Sequence, residues 1–323
     1  MPMRQELPDS WYPICSSWKL KRNRPLPIQA FDREWVVFRA DHGRCTVVQR
    51  YCCHMGTDLA LGEITDNSLQ CPLHHWRFDG DGKCVDIPAS ETIPPDAKLE
   101  KLRCIEKFGI VFAARGSEGP FRFPLFADNV PGACPANSRT KFVSMAASYE
   151  TVSLNLFDVQ HLTTVHQRIL HEPAELVSVS PHHLGIRYSA YNASETIGNH
   201  IIRWLGLSAN DIRVDCWGGN LLLIGILGHR PNFIMALMPV TEHSCQLYLA
   251  TVESELPAGA LSRVVQKIKL ELAASLTRAF ISEDIRTLSN AQTTAGTLLP
   301  DADAEAIRFW KYFEGLPKKG LSV

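Results

Sequence analysis

The chain has almost no net charge. It carries 33 Lys and Arg against 34 Asp and Glu, a formal charge of -1, which removes the electrostatic basis for binding a polyanion such as nucleic acid. Long apolar runs are also missing. The longest, "LLLIGIL" at 221–227, falls far short of the roughly 20 residues that a membrane-crossing helix needs. The opening stretch "MPMRQELPDSWYPICSSW" lacks the apolar segment of a secretory leader and reads as mature chain. Ten cysteines, at 15, 45, 52, 53, 71, 84, 104, 134, 216 and 245, are scattered through a long chain without such a leader. A disulfide framework is therefore not expected, and a reducing, cytoplasmic setting fits better. There is no internal repeat and no low-complexity tract.

What is present is an ordinary globular composition, 45% apolar and 21% charged over 323 residues, enough for two domains. Up to about residue 115 the pattern is short β-branched or aromatic runs ("EWVVFRA", "RCTVVQRY", "GIVFAA") separated by Gly, Asp and Asn, which predicts a small antiparallel sandwich or barrel. A Pro- and Gly-rich stretch follows, and we expect domains at 1–116 and 146–323 joined by a connection at 117–145. Residues 151–170 have helical periodicity and strand-like runs fill 175–255. A long helix is expected over 259–292 and a last one over 301–316, with Asp301 or Asp303 as its cap. Helix, sheet, then two helices predict an α+β domain with helices packed on an antiparallel sheet.

Two short motifs carry chemistry. Cys52 and His54 bracket one residue, sixteen residues intervene, and Cys71 and His74 bracket two. Two thiolates and two imidazoles can hold a structural zinc ion or a Rieske [2Fe–2S] cluster, with two Cys on one iron and two His on the other. Zinc fingers keep like ligands together. Here each loop offers one Cys and one His, an order that favours the two-iron cluster. Farther on, "NLFDVQHLTTVHQ" places Asn155, Asp158, His161 and His166 in sequence. Two His and a carboxylate with open positions form the facial triad of non-haem iron enzymes. On a continuous helix His161 and His166 would point about 140° apart, so the helix must be locally widened, as by a π-bulge, or must end nearby.

Together "YCCHMGTDLALGEI", "CPLHHWRFDGDGKCVDIP" and "NLFDVQHLTTVHQ" resemble the Rieske non-haem iron oxygenases, α-subunit type, of the monooxygenase-like branch. The wording around the cluster is distantly similar to ketosteroid hydroxylases and cholesterol desaturases. Two departures stand at non-ligand positions: His75 follows His74 where the family often has Gly, and Cys53 follows Cys52. The resemblance implies an all-β Rieske domain followed by a helix-grip (START-like) catalytic domain. It implies that Cys52, His54, Cys71 and His74 hold the cluster, that His161 and His166 bind a mononuclear Fe(II), and that Asp158 bridges the two centres. Through "AFISEDIRTLSNAQ" it assigns the third ligand to Asp284 rather than Glu283. A homotrimer in which one subunit's cluster serves its neighbour's iron is implied too, with O2 as cosubstrate and electrons from NAD(P)H through a reductase or ferredoxin. The product would be a hydroxylated, demethylated or desaturated small apolar molecule, aromatic or steroid-like. The alternative is a Rieske electron carrier without catalytic iron. Leu162, Val165, Ile169, Leu223, Ile224, Phe233, Met235 and Met238 are the expected pocket residues, with core packing as the plain alternative for each. No basic residue marks a carboxylate clamp, although Arg203 and Arg213 are available.

Overall fold

A computed structural model of the chain describes residues 6–40, 43–116, 120–126, 136–137, 140–170, 172–192, 211–226, 232–253, 259–289, 291 and 298–318. The N-terminal part consists of three antiparallel sheets. One pairs Trp11–Ser16 and Cys104–Lys107 with Ile110–Ala114. A second joins Leu26–Ala30, Arg33–Arg39, Cys45–Gln49 and Lys101–Leu102. A third, made of Glu63–Thr65, Ser68–Gln70, Arg77–Phe78 and Cys84–Asp86, carries the two cysteine–histidine loops. Val36, Phe38, Val48, Leu59, Leu69 and Phe78 fill the space beneath those loops, and Cys52 and Cys71 belong to the same buried cluster. Burying six such apolar side chains contributes on the order of 10 kcal/mol before conformational entropy is set against it.

The rest of the chain builds a nine-stranded sheet whose centre runs through Asp211–Trp217, Leu221–Ile226, Asn232–Thr241 and Ser244–Glu253. Lys141–Met145 is a strand of this sheet, paired with Ser244–Glu253. The connection expected over 117–145 therefore stops short of its C-terminal end, because Phe142 packs edge-on against Tyr248 across that pair. A single large core runs from Tyr12 and Phe112 to Leu222, Met235 and Phe313, so the first strand pair and the large sheet share one interior.

Four helices are described. The first, α1, spans Tyr149–Asn155, and α2 spans Val159–Thr164. The long α3, Ala260–Leu288, lies on the sheet through Leu270, Ala273, Ala274 and Ile281, and Thr251 Oγ1 donates to its Leu270 carbonyl at 2.8 Å. The last, α4, spans Ala304–Glu314. Asp303 occupies its N-cap position, but its carboxylate accepts from Leu299 N at 2.7 Å and from Gln160 Nε2 instead of the helix's own amides.

The segment 151–170 is not one helix. The Ser148 hydroxyl accepts from Thr151 N and starts α1. The chain leaves α1 after Asn155, and buried Phe157 turns in against Phe309 with ring centres 5.1 Å apart. Asp158 then caps α2, its carboxylate accepting from Gln160 N and His161 N. That arrangement satisfies amides that a helix start leaves orphaned. Gln167, at φ 53°, turns the chain out of the helical path into the strand Arg168–Leu170. The helix ends before His166, and this, not a π-bulge, resolves the angular conflict between the two histidines.

Candidate metal centres

The two cysteine–histidine loops are built alike. In the first, Cys52 N donates to Thr57 O and Gly56 N to Cys52 O, both at 2.9 Å; in the second, Cys71 N donates to Trp76 O at 2.9 Å and His75 N to Cys71 O at 3.1 Å. Each loop folds around its own cysteine, buries the sulfur and leaves the imidazole exposed at the tip. The His54 and His74 rings face each other with centres 4.8 Å apart, and Trp76 stacks on His54 at 4.3 Å. His74, not His75, is therefore the imidazole that meets His54. His75 is exposed at φ 59°, the left-handed region that glycine enters freely. Ion pairs brace the loops from behind. Arg50 joins Asp58 at 2.6 Å and Glu34 at 2.6 Å, and Arg77 joins Asp66 at 2.9 Å and Asp86 at 3.1 Å. The Arg50 guanidinium holds Asp58 below the usual carboxylate range.

The chemistry of this donor set suits an iron–sulfur cluster. Burial pushes the Cys52 thiol up to about 12, a rise that the His54 backbone amide opposes and the neighbouring Cys71 sulfur increases. A buried Cys52 sulfur that resists ionisation by itself, with the buried Cys71 sulfur adjacent, is matched to a cationic group that takes both as thiolates. The exposed imidazoles complete a mixed set of two sulfurs and two nitrogens. The residues fit.

The second centre draws on three elements. His161 comes from α2, His166 from the turn after it, and Asp284 from α3. One donor atom from each lies within 4.8 Å of the others. His166 Nε2 is 2.9 Å from Asp284 Oδ1, and His161 Nε2 is 4.0 Å from the same oxygen. Two donors each about 2.1 Å from one ion and at right angles stand roughly 3 Å apart, so the spacing suits a shared metal. The Asp158 carbonyl lies against His161 Nδ1 and accepts its proton. That tautomer leaves the Nε2 lone pair free. Phe280 stacks on the His166 ring at 3.9 Å. Asp284 is 13% exposed at its side chain and Glu283 53%; Glu283 Oε2 lies 3.5 Å from His166 Nδ1, on the outer side of the ring. Adjacent acids thus flank one imidazole, with Asp284 on the donor side. Asn155 Nδ2 approaches His161 Nε2 at 3.5 Å.

A cavity of about 220 Å³ opens beside these donors, with Asn155, His161 and Asp284 in its wall. Water occupies about 30 Å³ per molecule, so the space suits a small organic molecule. Of the residues considered for a pocket, Leu162, Ile224, Phe233 and Met235 line it. Val165, Ile169, Leu223 and Met238 do not. Val165 follows the last turn of α2 and Ile169 is 41% exposed. Leu223 alternates with Ile224 and so takes the opposite face of the sheet, where it is buried, and Met238 likewise alternates out of the Phe233–Met235 row. Missed from the sequence were Arg168, Tyr188, Thr277 and Phe280, which also line the cavity. Tyr188, Thr277 and Phe280 come from strand and helix positions with no local signal, and Arg168 stood two residues after His166 with nothing to mark its direction. Of the two arginines considered earlier, Arg213 pairs with Asp215 at 2.8 Å away from the cavity, and Arg203 lies outside the described residues.

These two donor sets, one in a small β domain and one between a helix pair and a gripping helix, are candidate metal sites of different kinds. Comparison with known proteins bears on the first of them. The Rieske [2Fe-2S] domain matches residues 10–105. Aminopyrrolnitrin oxygenase PrnD of Pseudomonas fluorescens is 34% identical over 171 residues, covering 49% of this chain and 45% of PrnD. Cholesterol 7-desaturase nvd 1 of Ciona intestinalis is 34% identical over 163 residues, covering 49% of this chain and 34% of the relative. The chain thus spans less than half the length of these curated relatives. The solved structure of NdmA from Pseudomonas putida CBB5 superposes with a TM-score of 0.66 at 19% identity, covering 95% of this chain and 89% of NdmA. Residues 10–105 are a Rieske [2Fe-2S] domain, and the chain as a whole shares the fold of NdmA.

Proposed function

We propose that this chain is the terminal oxygenase component of a Rieske oxygenase system, hydroxylating, demethylating or desaturating a small, largely apolar molecule, aromatic or alicyclic. The observation that carries this reading is the meeting of His161, His166 and Asp284, two of which, His161 and Asp284, stand in the wall of an apolar cavity. The named activities of the relatives, oxygenase and desaturase, support the same chemistry. In this reading Cys52, His54, Cys71 and His74 hold the [2Fe–2S] cluster, and His161, His166 and Asp284 hold a mononuclear Fe(II). When bound, that iron supplies reductive activation of O2 with electrons that come from NAD(P)H through a separate reductase.

The chain's own residues do the rest. The Asp158 carbonyl fixes the His161 tautomer, and the Asp158 carboxylate holds the start of α2 and so the direction of His161. Asn155 offers a hydrogen-bond donor beside the open side of His161. Apolar walls from Ile224, Phe233 and Met235 exclude water and seat the substrate. We assign residues 1–116 to the cluster domain and 146–323, with the strand before it, to the catalytic domain. A head-to-tail homotrimer would bring a neighbour's cluster loop to the Asp158 carboxylate, which would act as the bridging acid. A cytoplasmic location accords with the free cysteines among the described residues, and no helix among those residues is long and apolar enough to cross a membrane.

The test is iron content joined to turnover. The reading expects about three irons per chain, a Rieske-type resonance after reduction, and O2-dependent product with a reductase present. About two irons, with the cluster resonance intact, would mean an electron carrier instead. Asp158→Asn, which keeps an acceptor for the start of α2, is expected to keep both metals and to lose nearly all turnover.

A further inference from the structure

An arginine reaches an otherwise apolar cavity. Arg168 lines the pocket that also holds His161 and Asp284. Its Nε is buried and has no hydrogen-bond partner, and among the described residues no carboxylate pairs with its guanidinium. An arginine side chain stays protonated in proteins, and an unpaired buried charge is strongly unfavourable. Burial works against its charge. Tyr188 is itself buried, lines the same cavity, and makes no hydrogen bond through its hydroxyl among the described residues. Phe280 links the pair to the metal donors: Arg168 Cζ lies 5.5 Å from its ring, and the same ring stacks on His166. A charge kept in this setting, with five N–H donors in a planar fork, is matched to an anionic oxygen pair.

We propose that Arg168, with the Tyr188 hydroxyl beside it, is a specificity-determining clamp for one anionic group on the substrate, a carboxylate or an equivalent oxyanion. The substrate is then amphiphilic. Its charged end seats at Arg168, and its apolar body lies along Ile224, Phe233 and Met235. This deepens the oxygenase reading and rests on it for the word substrate; the anion-binding site itself is measured without turnover.

The probes are 1-anilinonaphthalene-8-sulfonate and N-phenyl-1-naphthylamine, which share an apolar body and differ by the anionic group. Both are titrated by fluorescence into the holoprotein. Arg168→Met is expected to weaken the sulfonate at least tenfold, about 1.4 kcal/mol, and to leave the neutral probe within twofold. Ile224→Trp, which fills the cavity, is expected to weaken both. Equal loss of both probes in Arg168→Met, or no loss of either, overturns the clamp. Should that variant not fold, displacement from the wild-type protein decides: octanoate is expected to compete at a concentration at least tenfold lower than octan-1-ol, and parity overturns the proposal. Iron content measured on the same samples keeps the two readings apart. A missing third iron sinks the oxygenase assignment whatever the probes do, and lost anion preference with full iron sinks only the clamp.

Discussion

The two candidate centres differ in how they are assembled. The cluster donors sit on two loops of one small sheet, and each loop is closed by its own backbone hydrogen bonds around its own cysteine. The mononuclear donors come from α2, from the turn that follows it, and from α3 more than a hundred residues later. A site made from local loops is specified by spacing. A site made from distant elements is specified by packing, and every residue that holds α3 against the sheet takes part in it.

The largest effect should separate the centres outright. Cys71→Ser is expected to remove the visible absorption of the cluster, and Asp284→Ala to remove one iron while the cluster spectrum stays. Metal analysis with absorption spectroscopy reads both, and a cluster lost from Asp284→Ala would show that the two sites are not independent. Next in size is the outer side of His166. Glu283→Gln, which removes a negative charge 3.5 Å from His166 Nδ1, is expected to weaken mononuclear iron roughly fivefold, the upper scale of a partly exposed ion pair. Competition with a chelator measures it, and unchanged affinity would reduce Glu283 to a surface acid.

A smaller effect probes the tip of the second cluster loop. His75 holds a left-handed backbone, and His75→Gly is expected to raise stability by roughly 1 kcal/mol with iron content unchanged. Loss of cluster iron in this variant would make His75 a ligand after all. The smallest concerns the frame under the loops. Arg39 binds Glu106 at 2.8 and 3.0 Å and holds its carboxyl below the ordinary value of 4.5. A depressed folded value means that the contribution is present at pH above about 4.5 and fades as pH falls through the lower folded value. Arg39→Met should therefore cost about 0.5 kcal/mol at pH 7, discounted for partial exposure, and the gap to wild type should close below pH 4. A gap that stays constant down to pH 3 would assign the effect to the packing of the Arg39 stem.

The fold and the site were legible to different depths. The β-rich first part, the long helix now seen at Ala260–Leu288 and the last helix at Ala304–Glu314 all followed from periodicity, which records which face is buried. The segment after residue 150 misled because Asn155 and Asp158 look like any polar positions on a helix until their side chains are placed. Asp158 caps a new helix, and Gln167 ends it.

The sequence by itself marked Cys52, His54, Cys71 and His74, and the His161–His166 pair, as candidate donors, because ligand spacing along a loop or a short turn is a local property; Asp284 was indicated only by resemblance. The sequence also determined that Leu162, Ile224, Phe233 and Met235 were apolar, but not which way they faced. Only the tertiary structure decided that Leu223 turns away, that Glu283 stands behind His166 rather than beside it, and that Arg168 enters the cavity without a counter-charge among the described residues. Each of those outcomes depends on strand register and on where α3 lies across the sheet, and such long-range packing leaves no mark in the spacing of neighbouring residues.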